Sequence, residues 1–92
     1  MYMQRRTIYF DGRVQGVGFR YTTQNIAMRY NVLGYVRNLD DGRVELVLEG
    51  DEREMDNVVE CLRRKMNGFI RQMETMVYPA TGEFESFGIR HG

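Results

Sequence analysis

The spacing of apolar residues switches from a repeat of two to a repeat near 3.6 and back, and it does so twice in 92 residues. A repeat of two belongs to a half-buried strand and one near 3.6 to an amphipathic helix. Residues 6–14, RTIYFDGRV, alternate: Ile8, Phe10, Gly12 and Val14 share one face, Thr7, Tyr9, Asp11 and Arg13 the other. Residues 20–31 then take helical spacing, with Phe19, Thr23, Ile26, Ala27 and Tyr30 on one stripe. The segment VLGYVRNLDDGRVELVLEG reads as a hairpin with arms at 33–39 and 43–49. Asp41-Gly42 is a two-residue turn signal, because glycine takes positive φ without a steric cost. In the second arm Val44, Leu46 and Leu48 are expected inward and Arg43, Glu45 and Glu49 outward, with Val47 interrupting the polar face. A second helix follows Gly50, with Asp51 as N-cap, Glu52 and Glu54 in the first turn and a stripe of Met55, Val58, Val59, Leu62 and Met66. Asn67-Gly68 stops it; residues 69–78 are extended, and a short strand over 87–90 closes the chain.

The order is therefore strand, helix, strand, strand, helix, strand, with a terminal strand added. Each helix has one apolar stripe, so both must cover the same face of a mainly antiparallel sheet. The expected fold class is α+β, a ferredoxin-like βαββαβ sandwich with a short C-terminal fifth strand. A chain of this length is one domain, 1–92, and buries only roughly 60% of its unfolded surface, so its core is a single thin layer.

The stretch joining the first strand to the first helix, Gln15-Gly16-Val17-Gly18-Phe19-Arg20, is the chemically informative one. Glycines there remove Cβ atoms from the path of a ligand, and successive backbone N–H groups can converge on an anion. The helix N-terminus adds free N–H groups and partial positive charge. Arg20 stands against the helix dipole, a placement costing roughly 0.3–1 kcal/mol that a bound dianion reverses. Its guanidinium fork also matches phosphate oxygens. The residues alone leave a plainer reading open, in which Arg20 pairs with a surface carboxylate and the glycines only make a turn. The loop is neither a Walker motif, since no Lys-Ser or Lys-Thr is present, nor a dinucleotide fingerprint, since Tyr21 stands where the third glycine belongs.

Asn38 is the second candidate. It shares parity with Gly34 and Val36 at the end of a core-facing row, and a buried amide needs a partner. It either caps the hairpin through local backbone or holds water or substrate. In the expected topology the first two strands run in the same direction with another between them. Their ends then lie on one sheet edge, which brings Arg20 and Asn38 together.

VQGVGFR, followed by GYVRN and then a DG hairpin, resembles the signature of the acylphosphatase family, over nearly the whole chain from Thr7 to the closing FGIR. The resemblance implies that Arg20 and the backbone amides of Gln15, Gly16, Val17, Gly18, Phe19 and Arg20 bind a phosphoryl group, and that Asn38 positions the attacking water. It implies hydrolysis of a small acyl phosphate to carboxylate and inorganic phosphate, with no metal, no cofactor and no covalent intermediate. The chemistry is consistent: the leaving carboxylate has a parent-acid pKa of about 4 and departs without a general acid. Phosphoryl transfer of this loose kind needs mainly positioning and charge stabilisation.

Composition narrows the alternatives. Thirteen basic residues balance thirteen acidic ones, and a nucleic-acid binder carries excess base. The third strand, RVELVLEG, has none of the aromatics with which an RNA-recognition domain of the same element order stacks bases. A non-catalytic phosphate- or protein-binding module of this fold is the other alternative. No apolar run reaches the roughly 18 residues of a membrane span. One cysteine and the absence of an apolar leader lead to an expected cytoplasmic location. The expected partner is a small-molecule acyl phosphate, with no nucleic acid and no membrane, and the expected state a monomer. Cys61 reads as a bystander, His91 as frayed surface, and Arg13, Arg37 and Arg43 as charges on a solvated face.

Overall fold

The computed structural model describes residues 3–91. Its elements in chain order are β1 (Met3–Gly12), α1 (Phe19–Ala27), β2 (Val32–Asn38), β3 (Val44–Asp51), α2 (Glu52–Lys65), β4 (Ile70–Pro79) and β5 (Phe87–Arg90). The strands form one sheet in the order β4-β1-β3-β2-β5. β1 pairs antiparallel with β3 and β4, β3 antiparallel with β2, and β5 parallel with β2, so the sheet is mixed. The α+β class, the βαββαβ order and the terminal strand agree with the hydrophobic periods.

The core forms where the inward rows meet the helix stripes. Ile8 and Phe10 of β1, Val36 of β2, and Val44, Leu46 and Leu48 of β3 pack with Phe19 and Ile26 of α1 and with Met55, Val58 and Leu62 of α2. Each such side chain, fully removed from water, contributes roughly 1.5–3 kcal/mol. Asp51 is the N-cap of α2, its carboxylate accepting the Glu54 N–H at 3.1 Å, and Arg63, Arg64 and Lys65 complement the dipole at the other end.

Four local expectations need correction. β1 runs from residue 3 to 12 rather than 6 to 14. Its register shifts between Asp11 and Gly12, and residues 13 and 14 leave the sheet, although Val14 is fully buried. α1 ends at Ala27 instead of reaching 31. The Arg29 and Tyr30 N–H groups bond three residues back, to Ile26 and Ala27, so the chain tightens into turns that lead into β2. The hairpin loop has three residues, Asp40, Asp41 and Gly42, not two: the Gly42 N–H donates to the Leu39 carbonyl at 3.2 Å and the Leu39 N–H to the Arg43 carbonyl at 2.8 Å. That is a turn followed by a bulge, with Gly42 at φ 95° taking the left-handed position.

The fourth correction concerns β3. Glu45 and Glu49 do point away from the helices, but they are only 7% and 3% exposed. β3 is the central strand, and its neighbours on both sides reach across it. Glu45 accepts from the hydroxyls of Tyr9 and Tyr35, each at 3.0 Å, and from Arg37 Nε at 2.7 Å. The second sheet face is therefore closed over its midline by a polar network instead of by a helix.

Candidate active site

The loop after β1 is pegged at both ends. Val14 and Phe19 are buried, and the Phe19 ring sits 5.0 Å from that of Phe10. Between the pegs Gly16 and Gly18 both take φ 78°, and a Cβ at either would meet no other atom of the protein within 4 Å. The protein thus requires glycine there for its left-handed backbone, not for crowding. Gly18 is the N-cap of α1, has no side chain to serve as a cap, and is followed by no acidic residue in the first turn. Among the described residues, the backbone N–H groups of 15–20 find no acceptor. A helix start left this way, with a guanidinium beside it, attracts an anion.

Arg20 and Asn38 line the same small cavity, about 160 Å³, together with Val14, Gly16, Gly18, Phe19 and Tyr21. The parallel direction of β1 and β2 on either side of β3 produces this meeting. Asn38 Oδ1 is buried and is the side-chain oxygen left without a hydrogen-bond partner among the described residues. Such an atom costs roughly 1–3 kcal/mol unless something donates to it. The hairpin-capping alternative for Asn38 is thus not realised through this oxygen. A larger depression, about 260 Å³, opens beside Gly12, Arg13, Gly68, Phe69, Ile70 and Arg71, but neither the 15–20 loop nor Asn38 lines it.

Arg20 has no ion pair among the described residues, which removes the plainer reading of a surface salt bridge. Its recorded contact is instead Nη1 to His91 Nδ1 at 3.4 Å. The sequence alone assigned His91 to frayed surface; the ordered strand β5, packed beside α1, carries it to the rim of the site. No spacing rule could have joined residues so distant in sequence. Gln15 and Val17 do not line the cavity: Val17 packs against the core, and the Gln15 amide bonds to the β2–β3 hairpin. The other arginines near the site are engaged elsewhere, Arg37 with Glu45, Arg43 with Asp41 and the Tyr9 ring, and Arg13 over Phe69. Cys61 is half-buried beside Arg29 on the far side of the helices. Among the described residues, no group of three or more His, Cys, Asp or Glu is arranged to hold a metal ion, and no helix is long and apolar enough to cross a membrane.

Comparison with known proteins gives a consistent result. A model of the acylphosphatase family matches residues 6–89. The acylphosphatase of Syntrophus aciditrophicus is 39% identical over 88 residues, covering 95% of this chain and 92% of that protein. The crystal structure of acylphosphatase from Bacillus subtilis superposes with a TM-score of 0.82 at 37% identity, covering 96% of this chain and 98% of that one. HypF from T. kodakarensis is similar in fold and sequence, at 34% identity and a TM-score of 0.81, but this chain spans only 12% of it.

Proposed function

This chain belongs to the acylphosphatase family and is an acylphosphatase, a hydrolase of the acyl-phosphate bond, and we propose that Arg20, the 15–20 loop and Asn38 are its active site. The supporting observation is that Arg20 and Asn38 line one cavity, and that the buried Asn38 Oδ1 has no hydrogen-bond partner among the described residues.

The loop N–H groups and the Arg20 guanidinium seat the three phosphoryl oxygens, over which the negative charge is spread in the transition state. Asn38 Oδ1 accepts one hydrogen of a water and turns its lone pair toward phosphorus, opposite the leaving oxygen. The P–O bond to the acyl group breaks as the water oxygen bonds to phosphorus: R–CO–OPO₃²⁻ + H₂O → R–COO⁻ + H₂PO₄⁻. The carboxylate leaves unprotonated, since its parent acid has a pKa of about 4, and a phosphoryl oxygen takes the water's proton. No step calls for a metal, a cofactor or a side-chain nucleophile. The same proposal takes the protein as a single domain, 1–92, acting in the cytoplasm as a monomer without nucleic acid. Its zero net charge and single cysteine support that reading.

Turnover of benzoyl phosphate by wild type, Arg20→Gln and Asn38→Ala, each with a chelator present, tests the mechanism. Wild type is expected to turn over unimpaired. Each variant is expected to lose about 100-fold or more in kcat, the scale set by removing a donor from a charge-stabilising site. Loss of wild-type activity on chelation overturns the metal-free mechanism; an inactive wild type points to a binding module instead.

A further inference from the structure

The side chain of Gln15 is not used by the role given to its backbone. Its amide nitrogen lies 2.8 Å from the Leu39 carbonyl and 3.0 Å from the Arg43 carbonyl. Two acceptors around one atom fix which end of the amide it is, because only the –NH₂ group can donate to both. These two carbonyls flank the three-residue turn and already accept from Gly42 and Leu39. Gln15 therefore fastens the last rung of the β2–β3 hairpin, and the next pair inward is Asn38↔Val44.

The cavity has walls from two segments distant in sequence, the stretch that carries Val14, Gly16, Gly18 and Phe19–Tyr21, and Asn38. Among the described residues, the hydrogen bonds joining the 15–20 loop to the hairpin end are the two from Gln15. Apolar packing beneath them is non-directional and tolerates sliding; a pair of hydrogen bonds sets both distance and direction. In-line attack is sensitive at that scale, where a misplacement of about 1 Å can cost about 100-fold.

We propose that the Gln15 side chain is a positioning residue that sets the span between the phosphoryl-binding loop and the Asn38 amide. This rests on the assignment of Arg20 and Asn38 given above. It gives Gln15, which does not line the cavity, a function of its own: its side chain holds the water-positioning strand in place beside the loop.

The test uses Gln15→Met, which keeps length and removes both donors, and Gln15→Ala, assayed on benzoyl phosphate beside wild type, Asn38→Ala and the double variant Gln15→Met/Asn38→Ala. Inhibition by inorganic phosphate and the Tm are measured on each, and rates are taken per folded molecule by circular dichroism. Both Gln15 variants are expected to lose about 5- to 20-fold in kcat. Their affinity for inorganic phosphate should change by less than about twofold, because the loop amides remain. In the Asn38→Ala background Gln15→Met should cost little further activity, since Gln15 acts through Asn38. A matching loss of phosphate affinity overturns the proposal, by making the side chain a phosphoryl ligand. So does unchanged kcat, or a full multiplicative loss in the double variant. An inactive wild type, or a fully active Asn38→Ala, overturns the site assignment and this proposal together; a fully active Gln15→Met overturns this proposal alone.

Discussion

Two loops of this protein set backbone N–H groups beside an arginine, and they differ in whether the chain supplies an anion to them. After β4, the chain at 81–82 closes around the buried Glu49 carboxylate: the Thr81 N–H donates at 2.8 Å, the Gly82 N–H at 3.0 Å, the Thr81 hydroxyl at 3.0 Å and Arg5 Nε at 2.8 Å. After β1, the loop at 15–20 presents the same kinds of group, backbone N–H and one arginine, and no carboxylate of the described chain approaches them. The first cradle is satisfied on folding and ties the 79–86 segment to the centre of the sheet. The second leaves its donors for a group from outside. One arrangement of amides and guanidinium thus gives stability where the acid is internal and, in the function proposed above, an anion site where it is not.

Removing the internal acid should have the largest effect on stability. Glu49→Gln takes from Arg5 its buried charged partner and leaves it Glu83 and Thr81, so about 1–3 kcal/mol of unfolding free energy should be lost in urea titrations, with benzoyl phosphate turnover per folded molecule nearly unchanged. The pH dependence has a definite sign. Burial pushes the Glu49 carboxyl up, but the N–H groups of Thr81 and Gly82, Arg5 and the Thr81 hydroxyl outweigh it, so its pKa lies below the ordinary value. The unfolded chain therefore takes up the proton first as the pH falls. The stabilisation is complete above the ordinary glutamate value of 4.5 and is lost as the pH drops through the lower folded value. Stability of Glu49→Gln should decline less steeply than that of wild type over that acidic window.

Giving the second cradle an acid of its own should make it resemble the first. Tyr21 lies two residues after the start of α1, is 70% exposed and lines the cavity. In Tyr21→Glu the carboxylate can reach back to the free N–H of Gly18 in the manner of a capping box and sit beside Arg20. KM for benzoyl phosphate should rise by about tenfold, while the helix gains roughly 0.3–1 kcal/mol from an acid in its first turn, so Tm should hold or increase. An unchanged KM would mean that the loop donors do not face the substrate. The backbone of the same loop can be changed by itself. Gly18→Ala forces a Cβ into the left-handed region for roughly 1–2 kcal/mol, read as a lower Tm. That Cβ meets no other atom of the protein, so the shift in Tm reads the backbone torsion alone.

The legible part of the site was the loop and the strand end. VQGVGFR placed the glycines and Arg20 at a strand-to-helix junction. The order of hydrophobic periods implied a topology in which Asn38 must end on the same edge. What stayed hidden was the destination of the long polar side chains. Gln15 read as one more loop residue, yet its amide reaches the hairpin. Glu45 and Glu49 fell on a face that alternation marks as solvated, yet Tyr9, Tyr35, Arg37, Arg5 and the 81–82 segment bury them. His91 carried no pattern at all before β5 brought it to Arg20.

The sequence by itself determined the order and type of the elements, the Asp51 cap, the turn glycine at 42 and the face each strand shows to the core, because these depend on torsional preference and on spacing within a few residues. Only the tertiary structure decided which buried carboxylates are paired, which amide oxygen is left without a partner, and which side chain ties the loop to the strand. Those outcomes depend on donors and acceptors that lie from 8 to 44 residues apart along the chain and meet only after the sheet has closed, so no local pattern can encode them.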